Sequence, residues 1–448
     1  MFNNYRFDLA DTIRLSIPII IAQLGVILMG VTDNLFVGRL LGAVPLGAAG
    51  LANSLSFLVL SVGIGSLSVV AAQVSQANAQ GDLVVVNQLF RAGLQVAVLL
   101  GLLTCFVSVV LALNFGWFGQ TAEVTRLSRD FMLILTISIV PLLVFIAARQ
   151  LGDGLRFPRV AMFITLAALT LNAGFNYVLI LGVGPFPAMG LMGSATATLL
   201  SRVFMAGAIL IYIYRAGLFK SYFQVAFVKL STQQYVLDIL RLGLPGGLTL
   251  MFEIALFSVA ALMIGWLGEN ELAAHQIAIN LASTTYMAAT GISTTAAIRV
   301  GAAIGRQSQA EARRAGVAAF MLSAGVMAVF ALVFFTANHW LVGLYIRDNT
   351  DVAQIAASLV IVGGLFQLSD GVQVVGVGAL RGLSDVKVPT WITLFSYWVV
   401  AMPLSYVLGF TAHLGVTGIW VGLLVGLTVA AILLTIRFFG LLKPHPIH

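Results

Sequence analysis

The sequence predicts an all-α integral membrane protein with twelve transmembrane helices in two six-helix lobes related by pseudo-two-fold symmetry. Three observations predict it. Of the 448 residues, 60% are hydrophobic and only 9% are charged, whereas soluble domains carry roughly 25% charged residues. Apolar runs of the ~20 residues needed to span a bilayer recur along the whole chain. Motifs of the first half return in the second half in the same order.

Taken in order, the first-half spans are expected near 13–38, 46–72, 89–114, 130–149, 159–182 and 189–214. Those of the second half fall near 240–266, 272–298, 315–337, 353–380, 389–410 and 414–438. The longest connection, 215–239, holds Lys220, Lys229, Gln233 and Gln234. It separates a first lobe, 1–214, from a second lobe with a short tail, 240–448. Asp11-Thr-Ile-Arg14-Leu-Ser-Ile-Pro18 returns as Asp238-Ile-Leu-Arg241-Leu-Gly-Leu-Pro245, and Gly63-Ile-Gly-Ser66 as Gly291-Ile-Ser-Thr294. Tyr177-Val-Leu returns as Tyr406-Val-Leu, and Met189-Gly190-Leu-Met-Gly193 as Leu414-Gly415-Val-Thr-Gly418. Six spans per half make parallel repeats about an axis along the membrane normal. Transporters of this design bind substrate between the halves and alternate access by rocking. The 45 glycines suit close helix packing.

An even number of spans puts both termini on one side. Eighteen of the 23 Lys and Arg residues fall on that side, and Arg39, Arg126, Arg129 and Arg347 fall on the other. The positive-inside bias therefore predicts cytoplasmic termini. The net charge of +7 reads as membrane orientation rather than as a nucleic-acid surface. No removable signal peptide is expected, because the first residues show no short apolar core followed by a small-residue cleavage site. The single cysteine, Cys105, forms no internal disulfide and reads as packing.

Three carboxylates lie inside apolar spans: Asp33, Glu253 and Asp370. Each costs on the order of 3 kcal/mol to insert, and such residues mark ion or substrate pathways. Asp33, flanked by Thr32 and Asn34 with Gln23 earlier in the span, either reaches water at the outer helix end or serves as a cation-attracting group. Glu253 lies eight residues past Pro245, about 12 Å along a helix. Asp370 has Gln367 and Gln373 three residues to either side, on one helix face where amides satisfy a carboxylate or ligate an ion. Two carboxylates sharing a dry site need a proton or Na⁺ between them. Arg202 sits mid-span and either pairs with a carboxylate or snorkels. Asn172 and Asn176 are one turn apart, fitting helix–helix bonding and cavity lining alike. His275, Gln276 and Asn280 open span eight, and Thr284, Thr285, Tyr286, Thr294 and Thr295 extend a polar wall. The five histidines have no metal-ligand spacing, and the chain has neither a phosphate-binding glycine loop nor an HExxH motif.

Thr32-Asp33, Leu272-Ala-Ala-His275-Gln276-Ile-Ala, and Phe366-Gln-Leu-Ser-Asp370-Gly-Val-Gln373-Val-Val continuing to Gly378-Ala-Leu-Arg381-Gly382-Leu, Asp385 and Pro389 carry a resemblance. In these segments the chain resembles the multidrug and toxic compound extrusion (MATE) family, most closely its NorM-type branch, over essentially its whole length. The resemblance implies a bacterial inner-membrane antiporter that exports cationic, amphipathic compounds in exchange for Na⁺ or H⁺. It implies a coupling-cation site at Glu253 and Asp370, and a protonation or substrate element at Asp33 with Asn172 and Asn176. Gln23, Thr32, Gln276, Asn280, Tyr286, Phe366, Gln367 and Gln373 are candidate lining of the substrate cavity. Some branches have Asp where this chain has Asn176, which favours the NorM-type reading. Phe366 occupies an aromatic position and supplies no hydroxyl ligand.

No cofactor is expected beyond the coupling ion, no metal beyond a Na⁺ at Glu253 and Asp370, and no obligate protein partner. Three other classes compete. A lipid-linked oligosaccharide flippase of the same architecture needs a basic cavity, whereas the intramembrane charge here is mainly acidic. A membrane enzyme needs a nucleophile or metal cluster that the sequence lacks. A cation channel has less need of two six-span repeats.

Overall fold

The computed structural model describes residues 2–223, 229–346 and 350–442. Part of the inter-lobe connection (224–228), Arg347 and Lys443 lie outside the described residues. In chain order the helices are α1 (Phe2–Leu41), α2 (Ala43–Leu67), α3 (Val69–Ala79), α4 (Leu83–Leu113), α5 (Ala122–Ile137), α6 (Ile139–Gly154), α7 (Pro158–Leu181) and α8 (Leu191–Arg215). They continue as α9 (Lys220–Phe223), α10 (Lys229–Gly265), α11 (Glu269–Gly305), α12 (Gln309–Gly343), α13 (Thr350–Gly382), α14 (Lys387–Leu394), α15 (Met402–Tyr406) and α16 (Gly415–Leu441).

Among the described residues, eleven stretches are long and apolar enough to cross a bilayer, and α5 with α6 makes a twelfth, bent by 41°. The span expected at 130–149 is therefore a broken one running over Ala122–Gly154. Pro141, in the first turn of α6, has no N–H for the carbonyl of Ile137, so the α-helical ladder stops there. Ser138 fills the break, its N–H and Oγ both donating to Leu135 O. The span near 389–410 is also irregular. Residues Phe395–Ala401 and Val407–Thr411 are π-helical, on either side of the short α15 that carries Pro403.

α1 has 40 residues and α10 has 37, so each is well over 50 Å long, more than the ~30 Å hydrocarbon layer. Packing divides the chain inside both helices. One compact unit is Ile21–Gly247; the other joins the chain up to Ile20 to the chain from Leu248 onward. Each division lies two residues past a proline, Pro18 in α1 and Pro245 in α10.

Within the Ile21–Gly247 unit, small residues set the helix spacing. A Cβ on Gly25 of α1 would meet Thr165 Cγ2 of α7 at 2.7 Å, and one on Gly193 of α8 would meet Leu179 O of α7 at 2.7 Å. Side chains two turns beyond Gly25 on α1 and about one turn beyond Gly193 on α8 are thereby held against α7. Phe115, Phe131, Met132 and Leu135 fill a core with Ala48, Ala49 and Ala52.

In the other unit, α13 packs along α11, α12 and α16. Gly378 and Gly382 form a GxxxG step, whose backbone rests on Ser293 O and on Ala297 O and Val300 of α11. Ser293 Oγ also donates to Val374 O at 2.6 Å. Gly371 lets α12 approach at Met327, and Ser323 Oγ donates to Gly371 O at 3.0 Å. Trp420, Tyr397, Phe366 and Phe438 anchor this core. The N-terminal turns of α1 are tied to it by charge. Arg299 of α11 pairs with Asp8 (2.6 Å) and Asp11 (3.3 Å), and Arg314 of α12 reaches Asp8 at 3.3 Å.

Candidate functional site: two separate intramembrane carboxylate clusters

The first cluster belongs to the Ile21–Gly247 unit. Asp33, two turns past Gly25, is only 6% exposed, so it does not reach water at the helix end. Asn172 and Asn176 of α7 donate their amides to Asp33 Oδ1 at 3.0 and 2.7 Å. Thr198 of α8 donates to Asp33 Oδ2 at 2.5 Å. Three neutral donors thus hold one buried carboxylate. The two asparagines present Oδ1 atoms that are buried without a hydrogen-bond partner. Arg202 lies one helical turn past Thr198 and within electrostatic reach of Asp33. Its Nη1 donates to Ser138 Oγ at 2.7 Å, at the α5–α6 break. Arg202 therefore turns inward, toward its own unit.

The second cluster belongs to the other unit. Glu253 of α10 (6% exposed) and Asp370 of α13 (2% exposed) lie close enough to act on each other electrostatically. The Tyr286 hydroxyl donates to the Glu253 carboxylate, while Glu253 Oε1 has no hydrogen-bond partner. Gln367 donates Nε2 to Thr285 Oγ1 at 2.7 Å, which turns its Oε1 away; that oxygen and Gln373 Oε1 are buried and unpartnered. Arg381 lies within electrostatic reach of Tyr286. Tyr397 is fully buried and has an unpartnered hydroxyl. Buried, unpartnered oxygens thus recur on these helices, with one cationic donor, Arg381, whose Nε is also buried and unpartnered. Among the described residues no group of three His, Cys, Asp or Glu side chains gathers as for a transition metal.

The remaining candidates fall into different settings. Gln276 and Asn280 are exposed one turn apart on α11, and Thr284, which donates to Asn280 O at 3.0 Å, extends the stripe. Gln23 and Thr32 are half-buried on α1. Phe366 is buried, its ring 6.0 Å from those of Phe257 and Trp420. His275 is buried and accepts from Trp420 Nε1 at 3.1 Å, a packing role.

Sequence reasoning missed Thr198, Ser138 and Tyr397. Thr198 was signalled by its place four residues before Arg202, the face-sharing interval on a helix. Tyr397 had no such signal, because its direction is set by a π-helical register that periodicity does not reveal.

Comparison with known proteins bears on these clusters. The MatE family model matches the chain twice, over residues 18–178 and 245–407. The two matches begin at Pro18 and Pro245 and end at Val178 and Val407, positions that the internal repeat also pairs. The chain is 34% identical over 446 residues to the probable multidrug resistance protein NorM of Rhizobium meliloti, covering 98% of this chain and 95% of that one. It is 36% identical to its namesake in Rhodopseudomonas palustris over 98% and 93% of the two chains. Among solved structures, the eukaryotic MATE transporter AtDTX14 superposes with a TM-score of 0.89 at 18% identity, over 98% of this chain and 96% of that one. An outward-facing multidrug resistance MATE family transporter gives 0.87 at 20% identity, over 97% and 96%. The chain belongs to the MatE family and is a multi-pass membrane transporter, not an enzyme.

Proposed function

We propose that this transporter is a multidrug efflux antiporter of the inner membrane, exporting cationic, amphipathic compounds in exchange for Na⁺, with both termini in the cytoplasm. The observation that carries the coupling is the buried pair Glu253 and Asp370, with Glu253 Oε1 left without a hydrogen-bond partner. Export of drugs rests on the printed names of the relatives, probable multidrug resistance proteins. The terminal orientation rests on the distribution of Lys and Arg, and the role of each six-span half as a lobe rests on the repeat.

A cation held by Glu253 and Asp370 neutralises two like charges in a low-dielectric setting and so stabilises the state that holds it. Its release leaves the pair repelling, and that state takes up the cationic drug. Cation and drug exclude one another, and at equilibrium each weakens the other by the same factor. Asp33, held by three donors, serves the drug or a proton in the first half. The membrane potential contributes about 2.3 kcal/mol per charge per 100 mV. One Na⁺ moving in against one monovalent drug moving out cancels that contribution, so such an exchange draws on the Na⁺ gradient alone.

The test is dye accumulation in a bacterial strain stripped of its own efflux pumps. Cells expressing the transporter should hold less ethidium in Na⁺ medium than in choline medium. Equal accumulation in the two media removes the sodium reading; accumulation matching empty-vector cells in both removes the drug-export reading and favours the flippase.

A further inference from the structure

We propose that the contact of α1 with α11 is a releasable latch, and that its counterpart in the repeat, the contact of α10 with α2, is a fixed pivot. The two contacts share a plan. Each is antiparallel, advances one helical turn per step, and lies inside one compact unit. They differ in what holds them.

In the first contact, Ile20 of α1 sits in the gap left by Gly291 of α11, where a Cβ would meet Ile20 N and Cα at 3.2 Å. One turn toward the N-terminus, Ser16 Oγ donates to Thr295 Oγ1 at 3.0 Å. Farther still, Arg299 donates to the Thr12 hydroxyl, to Asp8 O at 2.5 Å and to Asp8 Oδ1 at 2.6 Å, and it pairs with Asp11 at 3.3 Å. Arg314 of α12 adds its 3.3 Å bond to Asp8. In the second contact, a Cβ on Gly247 of α10 would collide with Val62 O of α2, and one on Gly243 with Ser66 O. One on Gly65 would meet Gly246 O and Gly247 Cα at 2.7 Å. Thr232 Oγ1, nearer the start of α10, donates to Gln88 Oε1 of α4.

The repeat makes the difference legible residue by residue. It pairs Ser16 with Gly243 and Ile20 with Gly247, and it carries Tyr235 and Ala71 where Asp8 and Arg299 stand. The Asp8–Arg299 bridge therefore has no equivalent in the second contact. Helices in lipid associate through close backbone approach across small residues. Parting backbones packed on Gly65, Gly243, Gly246 and Gly247 forfeits many dispersion contacts at once and exposes no group that water would reward. Side-chain bonds exchange more freely, because their groups rehydrate and the net worth of each bond is small. Asp11 and Arg314 already have 27% and 36% of their side chains exposed, which gives water a route into the first contact. Alternating access needs a contact that parts and re-forms in every cycle. The contact built on charges and hydroxyls is suited to that, and the one built on glycine backbone is suited to hold.

The test is N-ethylmaleimide modification of single cysteines in the full-length protein in membrane vesicles, with Cys105 replaced by alanine. It needs no transported substrate and no coupling ion. Ser16, Thr295, Ser66 and Thr232 are each at most 2% exposed, so a cysteine at any of them reacts only while its contact is parted. Ser16→Cys and Thr295→Cys should react about tenfold faster than Ser66→Cys and Thr232→Cys. Adding Arg299→Gln should raise the first two rates about tenfold again, the loss of one charge-assisted bond, and leave the other two alone. Arg314→Gln, which spares the Arg299 bridge, should act in the same direction and serves if Arg299→Gln folds poorly. Equal rates at the four positions, or faster reaction of Ser66→Cys and Thr232→Cys, overturn the inference. Arginine substitutions that leave all four rates unchanged, or raise all four alike, overturn it as well.

Discussion

Thr198 donates a 2.5 Å hydrogen bond to Asp33 Oδ2, and Asn172 and Asn176 hold Oδ1. The carboxylate is thus fixed on both oxygens by neutral groups from α7 and α8. Thr198→Val keeps the shape and removes the donor, leaving a buried oxygen unsatisfied. The expected cost is about 1–3 kcal/mol, read as a lower melting temperature in detergent. Asp33→Asn should melt close to the wild type, since an amide can still accept from the asparagines. It should nevertheless lose most dye efflux, because the charge is gone. A normal efflux rate in Asp33→Asn would remove Asp33 from the transport cycle.

The glycine contacts on α13 predict a second outcome. A Cβ on Gly378 would collide with the Ser293 carbonyl and hydroxyl, whereas nothing lies within 4 Å of one on Gly325 of α12. Gly378→Ala should destabilise the protein by about 1–3 kcal/mol through overpacking. It should also weaken Na⁺ binding, because α11 carries Tyr286, which bonds Glu253, and α13 carries Asp370. Gly325→Ala should be neutral or slightly stabilising, given the better helix propensity of alanine. Thermal melts of the two variants side by side check the contrast.

The charged cluster on α1 predicts a third. Arg299 bridges Asp8 and Asp11, and both Arg299 and Asp8 are largely buried. Arg299→Gln strands Asp8 with Arg314 as its remaining ion-pair partner, at a cost on the order of 3 kcal/mol. Arg299→Lys should recover only part of it, because a single ammonium does not reproduce the fork of the guanidinium. Protease susceptibility of the N-terminal turns of α1 should rise in the same order, with wild type lowest and Arg299→Gln highest.

Much of this architecture was legible in the sequence. Span number followed from hydropathy because every backbone polar group in lipid must be bonded within its own helix. The repeat was legible because Pro18 and Pro245 mark corresponding breaks, and the family matches start at both. Asp33, Glu253 and Asp370 stood out because carboxylates are so rarely placed in lipid. What stayed hidden depends on local geometry. The break at Ser138 follows from Pro141, yet prolines also occur within continuous helices such as α1 and α10, so the residue alone does not announce a bend. The division of α1 at Ile20 depends on which helices its two ends pack against, information that hydropathy does not hold. Tyr397 reads as an ordinary aromatic until the π-helical turn buries it completely.

Glu253 and Asp370 are proposed to act as one coupling site for Na⁺. The most direct measurement is ethidium efflux from proteoliposomes under an imposed Na⁺ gradient at zero pH gradient. The wild type, Glu253→Gln, Asp370→Asn and the double variant are compared. Na⁺-driven efflux is expected in the wild type, with its loss in each single variant and no further loss in the double variant, since residues acting as a unit are not additive. Efflux driven only by a pH gradient, or Na⁺-driven efflux that survives either substitution, would contradict it.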